Sequence, residues 1–133
     1  MADAVTDTHG LIWYLEDSPR LGSGAREAFE ACDRGELAIY VPTICLVEIV
    51  YLQEKGRIPA DLKAQLDAAL EAGTTGLILV SLTPEVVDAV PRVPRSDVPD
   101  MPDRIIAATA LNLGVRLISR DRAIRLSAVR TVW

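Results

Sequence analysis

Histidine occurs once in the 133 residues, as His9, and cysteine twice, as Cys32 and Cys45. Both cysteines stand inside helix-like segments and are not spaced as ligands, so a zinc site of the usual kind is excluded. Long apolar runs are also missing. The stretch from Ile44 to Leu52 is nine residues and contains Glu48, against the roughly 20 that a membrane-crossing helix needs. No basic residue precedes the first apolar run while Asp3 does, so nothing reads as a signal peptide. The expectation is a reduced, cytoplasmic protein with no membrane association. Half of the residues are apolar and a quarter charged, which excludes global disorder. The length suits a single domain over residues 1–133 that buries roughly two thirds of its unfolded surface.

The net charge of −5 is unevenly distributed. Residues 1–91 hold six Lys and Arg against fifteen Asp and Glu, whereas residues 92–133 hold eight arginines against four aspartates. The acidic part argues against non-specific nucleic-acid binding by charge alone. The arginine-rich part leaves room for a phosphate-bearing partner.

Short apolar runs alternate with helical patterns along the chain. Ala4 to Thr6, Leu37 to Val41, Leu77 to Val80, Val115 to Ile118 and Val129 to Trp133 read as strands. Leu11–Leu15 reads as a short helix closed by Ser18-Pro19, and Ser23 caps a second helix that Gly35 follows. Thr43 opens a helix to Lys55 that Gly56 stops. Pro59 begins another with a Leu62, Leu66, Leu70 stripe that Gly73 ends. Thr83-Pro84-Glu85 starts a helix through Val90, the four prolines of 91–102 imply a loop, and a helix follows from Asp103 to Leu113. Such alternation predicts an α/β fold with a parallel sheet covered on both faces.

Ligands of open parallel sheets bind at the carboxyl ends of the strands, so the residues there carry the functional question. Asp7, Asp100, Asp103 and Asp121 lie at strand ends or helix starts, and Glu48 sits early in the third helix. Each aspartate alone is also a plausible cap or turn residue, and Asp100 to Asp103 resembles a capping box. Glu48 is different, because its helical neighbours Ile44, Cys45, Tyr51 and Leu52 offer it no polar face. A buried carboxylate without a partner costs several kcal/mol, so Glu48 needs either a distant arginine or a bound cation. Oxygen ligands alone select a hard ion, Mg²⁺ or Mn²⁺, one or two of them. Such ions orient water and stabilise charge on a phosphate, which points to phosphodiester hydrolysis.

Four segments together carry a family resemblance that spans essentially the whole chain. They are Asp7-Thr8-His9 followed by Leu11-Ile12-Trp13, then Val47-Glu48-Ile49, then Asp103-Arg104-Ile105-Ile106-Ala107-Ala108-Thr109-Ala110, and Leu117-Ile118-Ser119-Arg120-Asp121. In this order the sequence resembles the PIN domain nucleases, and within them the VapC toxins of toxin–antitoxin pairs. The resemblance implies a three-layer α/β/α sandwich with a mainly parallel central sheet and a Mg²⁺- or Mn²⁺-dependent endoribonuclease activity. It places Asp7, Glu48, Asp103 and Asp121 as the acidic catalytic and metal-binding quartet, Asp100 as an additional acidic ligand, and Thr8 and Ser119 as supporting residues. It further implies a homodimer, an RNA substrate such as tRNA or rRNA, and a VapB-type antitoxin that places an arginine in the acidic pocket. Pro102 and Val98 depart from one branch, which often has phenylalanine and histidine there.

Arg104, Arg120, Arg122 and Arg125 lie near these acids in sequence and are candidates to hold an RNA backbone, or else form a solvated surface. Trp13 and Tyr14 suit either core packing or base stacking. The helices over 43–55 and 59–72 carry apolar stripes for core packing or for a dimer or antitoxin groove. His9 reads as a structural or surface histidine. A receiver-type phosphoacceptor domain would need an aspartate after the third strand, where Val80-Ser81-Leu82 stands. A haloacid-dehalogenase-like phosphatase would need one at His9. A PIN-like module without catalysis, its acidic pocket receiving a partner's arginine, is the remaining alternative.

Overall fold

The computed structural model describes residues 2–73, 75–125 and 127–133. The elements run β1 (Ala4–Thr6), α1 (Thr8–Leu15), α2 (Ser23–Asp33), β2 (Ile39–Pro42), α3 (Thr43–Glu54), α4 (Leu62–Ala72), β3 (Leu77–Val80), α5 (Pro84–Ala89), a 3-10 turn (Val90–Arg92), α6 (Met101–Leu113), β4 (Arg116–Ile118), α7 (Arg122–Arg125) and β5 (Thr131–Val132). The five strands form one sheet in the order β3-β2-β1-β4-β5. All four pairings are parallel. The α/β expectation therefore holds, and the sheet is the centre of the fold.

The chain builds outward from β1 to β2 and β3, then returns to lay β4 and β5 on the other side of β1. That reversal opens a crevice beyond the carboxyl ends of β1 and β4, the place where open parallel sheets bind ligands. Ala4, Val5 and Thr6 are all buried although consecutive strand residues point to opposite faces, so helices cover the sheet on both sides. On α1 the chain packs α2, α3 and α4, while α6 packs against α5, β1 and β4. Phe29 of α2, fully buried, stacks on Tyr14 of α1 with ring centroids 4.3 Å apart and planes 8° from parallel. Both rings are core, as is Trp13.

Several boundaries differ from the sequence reading for local reasons. α1 begins at Thr8, three residues before the apolar run, because the Asp7 side chain caps it. Leu37 is buried, but the strand it was expected to open starts at Ile39. The proline-rich stretch 91–102 is not wholly loop: Val90–Arg92 form a 3-10 turn, and α6 already begins at Met101 with Pro102 in its first turn. Proline is tolerated there because a first-turn N–H has no intrahelical acceptor. Gly114 ends α6 as expected, at φ 69°, a left-handed conformation that favours glycine. The fourth and fifth strands are shorter than expected, and α7 lies between them.

Phe29→Ala, which opens a cavity beneath α1, is expected to lower unfolding free energy by about 3–5 kcal/mol. The half-exposed Ile78 of edge strand β3, changed to alanine, is expected to cost less than about 1 kcal/mol. Denaturant titration of both variants checks the contrast.

Candidate functional site: an acidic cleft at the strand ends

Asp7 leaves β1 as the sheet ends and caps α1, its Oδ1 accepting from the Gly10 N–H at 2.7 Å. Its own N–H donates to the Ile118 carbonyl of β4 at 3.0 Å, which ties it across the crevice. A Cβ at residue 10 would lie 2.9 Å from that same Oδ1, so glycine is what lets the carboxylate sit so close to the helix. Burial raises the Asp7 pKa, although the Gly10 N–H and the Ser119 hydroxyl bond its charged form and pull the other way. Ser119 is fully buried after β4, and its Oγ also accepts from the Asp121 N–H at 3.0 Å. One hydroxyl thus touches both Asp7 and the backbone of Asp121.

Two more aspartates are positioned by caps. Asp100 accepts from the Asp103 N–H at 3.1 Å and so caps α6, which puts Asp103 in the first turn of that helix. Asp121 accepts from the Ile124 N–H at 3.1 Å at the start of α7. The reading of Asp100 and Asp121 as caps is thus met. Glu48 projects from α3, and the buried Thr8 hydroxyl donates to its Oε1. Glu48 enters no ion pair among the described residues, so the distant arginine considered from sequence is not its partner. Nor is it enclosed: α3 leaves Val47, Val50 and Tyr51 exposed, and Glu48 is half-buried at the edge of a cleft.

That cleft has a volume of about 740 Å³, and Asp7, Glu48, Asp100, Asp103 and Asp121 all line it. Asp103 registers the crowding most strongly. Its pKa is pushed up to about 7, first by burial and then by the charges of Asp100, Asp121, Glu48 and Asp7. Among the described residues, no three acidic, histidine or cysteine side chains already stand in an arrangement that holds an ion. The donor set nevertheless fits a hard divalent cation, being all carboxylate oxygen brought to one space from four places in the chain. Mutually repelling carboxylates have no reason to close up without positive charge between them.

The basic residues are placed less as expected. Arg120 lines the cleft. Arg104 does not: its guanidinium donates to the Val93 carbonyl at 2.9 Å and the Val90 carbonyl at 3.2 Å, binding α6 to the 3-10 turn. Arg122 and Arg125 are exposed and lie outside the lining. Sequence reasoning missed Glu16, Arg20 and Arg57, which do line the cleft, and assigned no role to Gly10. Only Gly10 left a sequence signal, as a glycine three residues after a capping aspartate. His9 is exposed at the mouth. Beside the acidic cleft runs a second, mainly apolar groove of about 390 Å³, lined by Ile44, Val47, Tyr51 and Met101 and sharing His9, Glu48 and Leu52 with the first. No helix among the described residues is long and apolar enough to cross a membrane.

Comparison with known proteins follows this geometry closely. The PIN domain family model matches residues 4–129. The chain is 33% identical over 125 residues to Ribonuclease VapC22 of Mycobacterium tuberculosis (strain ATCC 25618 / H37Rv), covering 94% of this chain and 92% of the relative. Its fold is similar to that in the crystal structure of VapBC2 from Rickettsia felis bound to a promoter DNA fragment, with TM-score 0.71, 14% identity and 98% and 97% of the two chains covered. A toxin–antitoxin complex from Klebsiella pneumoniae is similar with TM-score 0.66, 22% identity and 98% and 96% coverage.

The raised pKa of Asp103 has a consequence for stability. An unfolded aspartate loses its proton near pH 4, whereas folded Asp103 keeps it to about pH 7. Between those values the folded state binds more protons, so Asp103 makes metal-free protein less stable as pH rises from about 4 to 7. Asp103→Asn removes that loss. Its metal-free melting midpoint is expected roughly 2–5 °C above the parent's at pH 8, with the gap gone at pH 4. Melting in chelator across this range checks the crossing; a constant gap, or none, contradicts it.

Proposed function

The chain belongs to the PIN domain family, and on that premise we propose that it is a Mg²⁺- or Mn²⁺-dependent endoribonuclease, the toxin of a VapBC-type toxin–antitoxin pair. The observation that carries the reading is the convergence of five carboxylates, from the starts of α1, α6 and α7 and from α3, on one cleft at the switch point of the sheet. Asp7, Glu48, Asp103 and Asp121 are the catalytic acids in this reading. With Asp100 they would hold one or two divalent ions. Such ions supply a water of lowered pKa and neutralise charge on the phosphate being cut.

The chain's own residues prepare that site. Thr8 turns Glu48 toward the cleft by its hydroxyl bond. Ser119 fixes Asp7 and the start of the Asp121 turn together. The Gly10 N–H holds Oδ1 of Asp7 at the start of α1. Each of these bonds restricts a carboxylate before substrate arrives, which is how a site avoids reorganisation during reaction. Two partners beyond RNA belong to the proposal. A VapB-type antitoxin would lay apolar side chains in the groove of Val47, Tyr51 and Met101 and reach an arginine into the neighbouring acids. A second copy of the chain would cover the exposed apolar residues Ile78, Leu79, Leu82 and Val87.

The test is cleavage of structured RNA by purified protein. Mn²⁺ or Mg²⁺ is expected to support cutting and chelator to abolish it. Asp103→Asn is expected to lower the rate at least about 100-fold while the far-ultraviolet circular dichroism stays that of the parent. Cutting that survives chelator or Asp103→Asn contradicts the mechanism. A parent that binds an antitoxin yet cuts no RNA with either metal is instead a PIN-like binding module.

A further inference from the structure

Three arginines, Arg20, Arg57 and Arg120, line the cleft, and two of them sit against the same aromatic ring. Arg20 follows α1, and Arg120 stands immediately before Asp121; both line the acidic cleft and both are exposed. Their guanidinium carbons lie 5.9 Å and 4.6 Å from the centroid of the Trp13 ring, within cation–π range. Neither side chain donates a hydrogen bond or joins an ion pair among the described residues, although six carboxylates, Glu16 included, line the same space.

The ring is held in place. Trp13 is 7% exposed, meets Trp133 edge-on at 5.7 Å and His9 at 5.4 Å. A guanidinium at cation–π distance from an indole, with no hydrogen bond or ion pair of its own, keeps its N–H donors free, and those donors match phosphate oxygens. Seating on the ring also gives both cations an alternative to collapsing onto the acids. The cleft thus holds carboxylates together with phosphate-binding donors that no acid has taken up. A polyanion approaching a chain of net charge −5 needs such a localised cationic seat.

We propose that Arg20 and Arg120, positioned by Trp13, form a phosphate grip that binds RNA backbone phosphates beside the one that is cut. The proposal rests on the ribonuclease reading above. Arg20 and Arg120 touch substrate; Trp13 is a positioning residue acting through them. Arg104, spent on two carbonyls, has no part in it.

The experiment measures binding of a fluorescein-labelled pool of synthetic RNA stem-loops by anisotropy in chelator over a salt series, with cleavage kinetics in Mn²⁺ alongside. Arg20→Ala and Arg120→Ala are each expected to weaken binding about tenfold and to lower the slope against log salt by about one. KM is expected to rise with kcat within about twofold, because a grip on flanking phosphates binds ground and transition states alike. Arg120→Lys keeps the charge and is expected to restore the slope but only part of the affinity. Trp13→Leu is expected to weaken binding, and to add little in an Arg120→Ala background; Trp13→Phe, a milder change to the core, is expected to retain most of the affinity. Arg95→Ala, exposed and outside the cleft, controls for charge and is expected to bind as the parent does. Parent-like affinity and slope in Arg20→Ala and Arg120→Ala overturn the grip, and tighter binding overturns it too, since the arginines then only screen the acids. If the parent binds and cuts RNA while these variants are unaltered, the grip alone falls. If the parent neither binds nor cuts, the ribonuclease reading falls and the grip with it.

Discussion

Repulsion among carboxylates that folding forces together is the constraint on which the site depends. Asp7 is buried, Asp103 is held protonated to about pH 7, and Glu48, Asp100 and Asp121 face the same cleft. A domain of marginal stability keeps such a cluster only where local structure compensates. Here the compensation comes from backbone amides and hydroxyls: Gly10 and Ser119 on Asp7, Thr8 on Glu48, and the first turns of α6 and α7 on Asp100 and Asp121. None of these donors is a cation. Among the described residues none of the arginines that line the cleft forms an ion pair with these acids, which leaves the carboxylates open to a divalent ion.

Topology and capping converge on the same residues. The strand order reverses beside β1, so the ends of β1 and β4 and the helices that follow them open onto one crevice. A helix that starts there needs a cap, and aspartate is among the best. Asp7, Asp100 and Asp121 are therefore caps whose carboxylates also line the cleft. Deleting any of them removes a helix cap along with a cleft carboxylate, whereas Asp103 caps nothing.

The fold was legible because its signals are local. Short, largely apolar stretches marked every strand, and Gly35, Gly56, Gly73 and Gly114 marked helix ends at positive φ. The acids were legible as a set through four short motifs, and the structure brings all five to one cleft. What stayed hidden depended on distance along the chain. Arg104 finds its carbonyl partners 11 and 14 residues earlier, and no pattern announces that. Arg20 and Arg57 reach the cleft from loops remote from every motif. The periodicity of α3 could not distinguish burial in the core from exposure beside a groove, because its side chains are apolar on both faces, with Cys45 and Ile49 inward and Val47 and Tyr51 outward. Pro102 looked like a helix breaker and is a first-turn residue instead.

The central claim is that the cleft neutralises its carboxylates by taking up a hard divalent ion. Electron paramagnetic resonance of free Mn²⁺, titrated with protein at neutral pH, tests it without reference to any RNA. The parent is expected to quench the free-ion signal by one or two equivalents, and Asp103→Asn to quench far less. A parent that leaves the signal untouched, or an Asp103→Asn variant that removes as much Mn²⁺ as the parent, would contradict it.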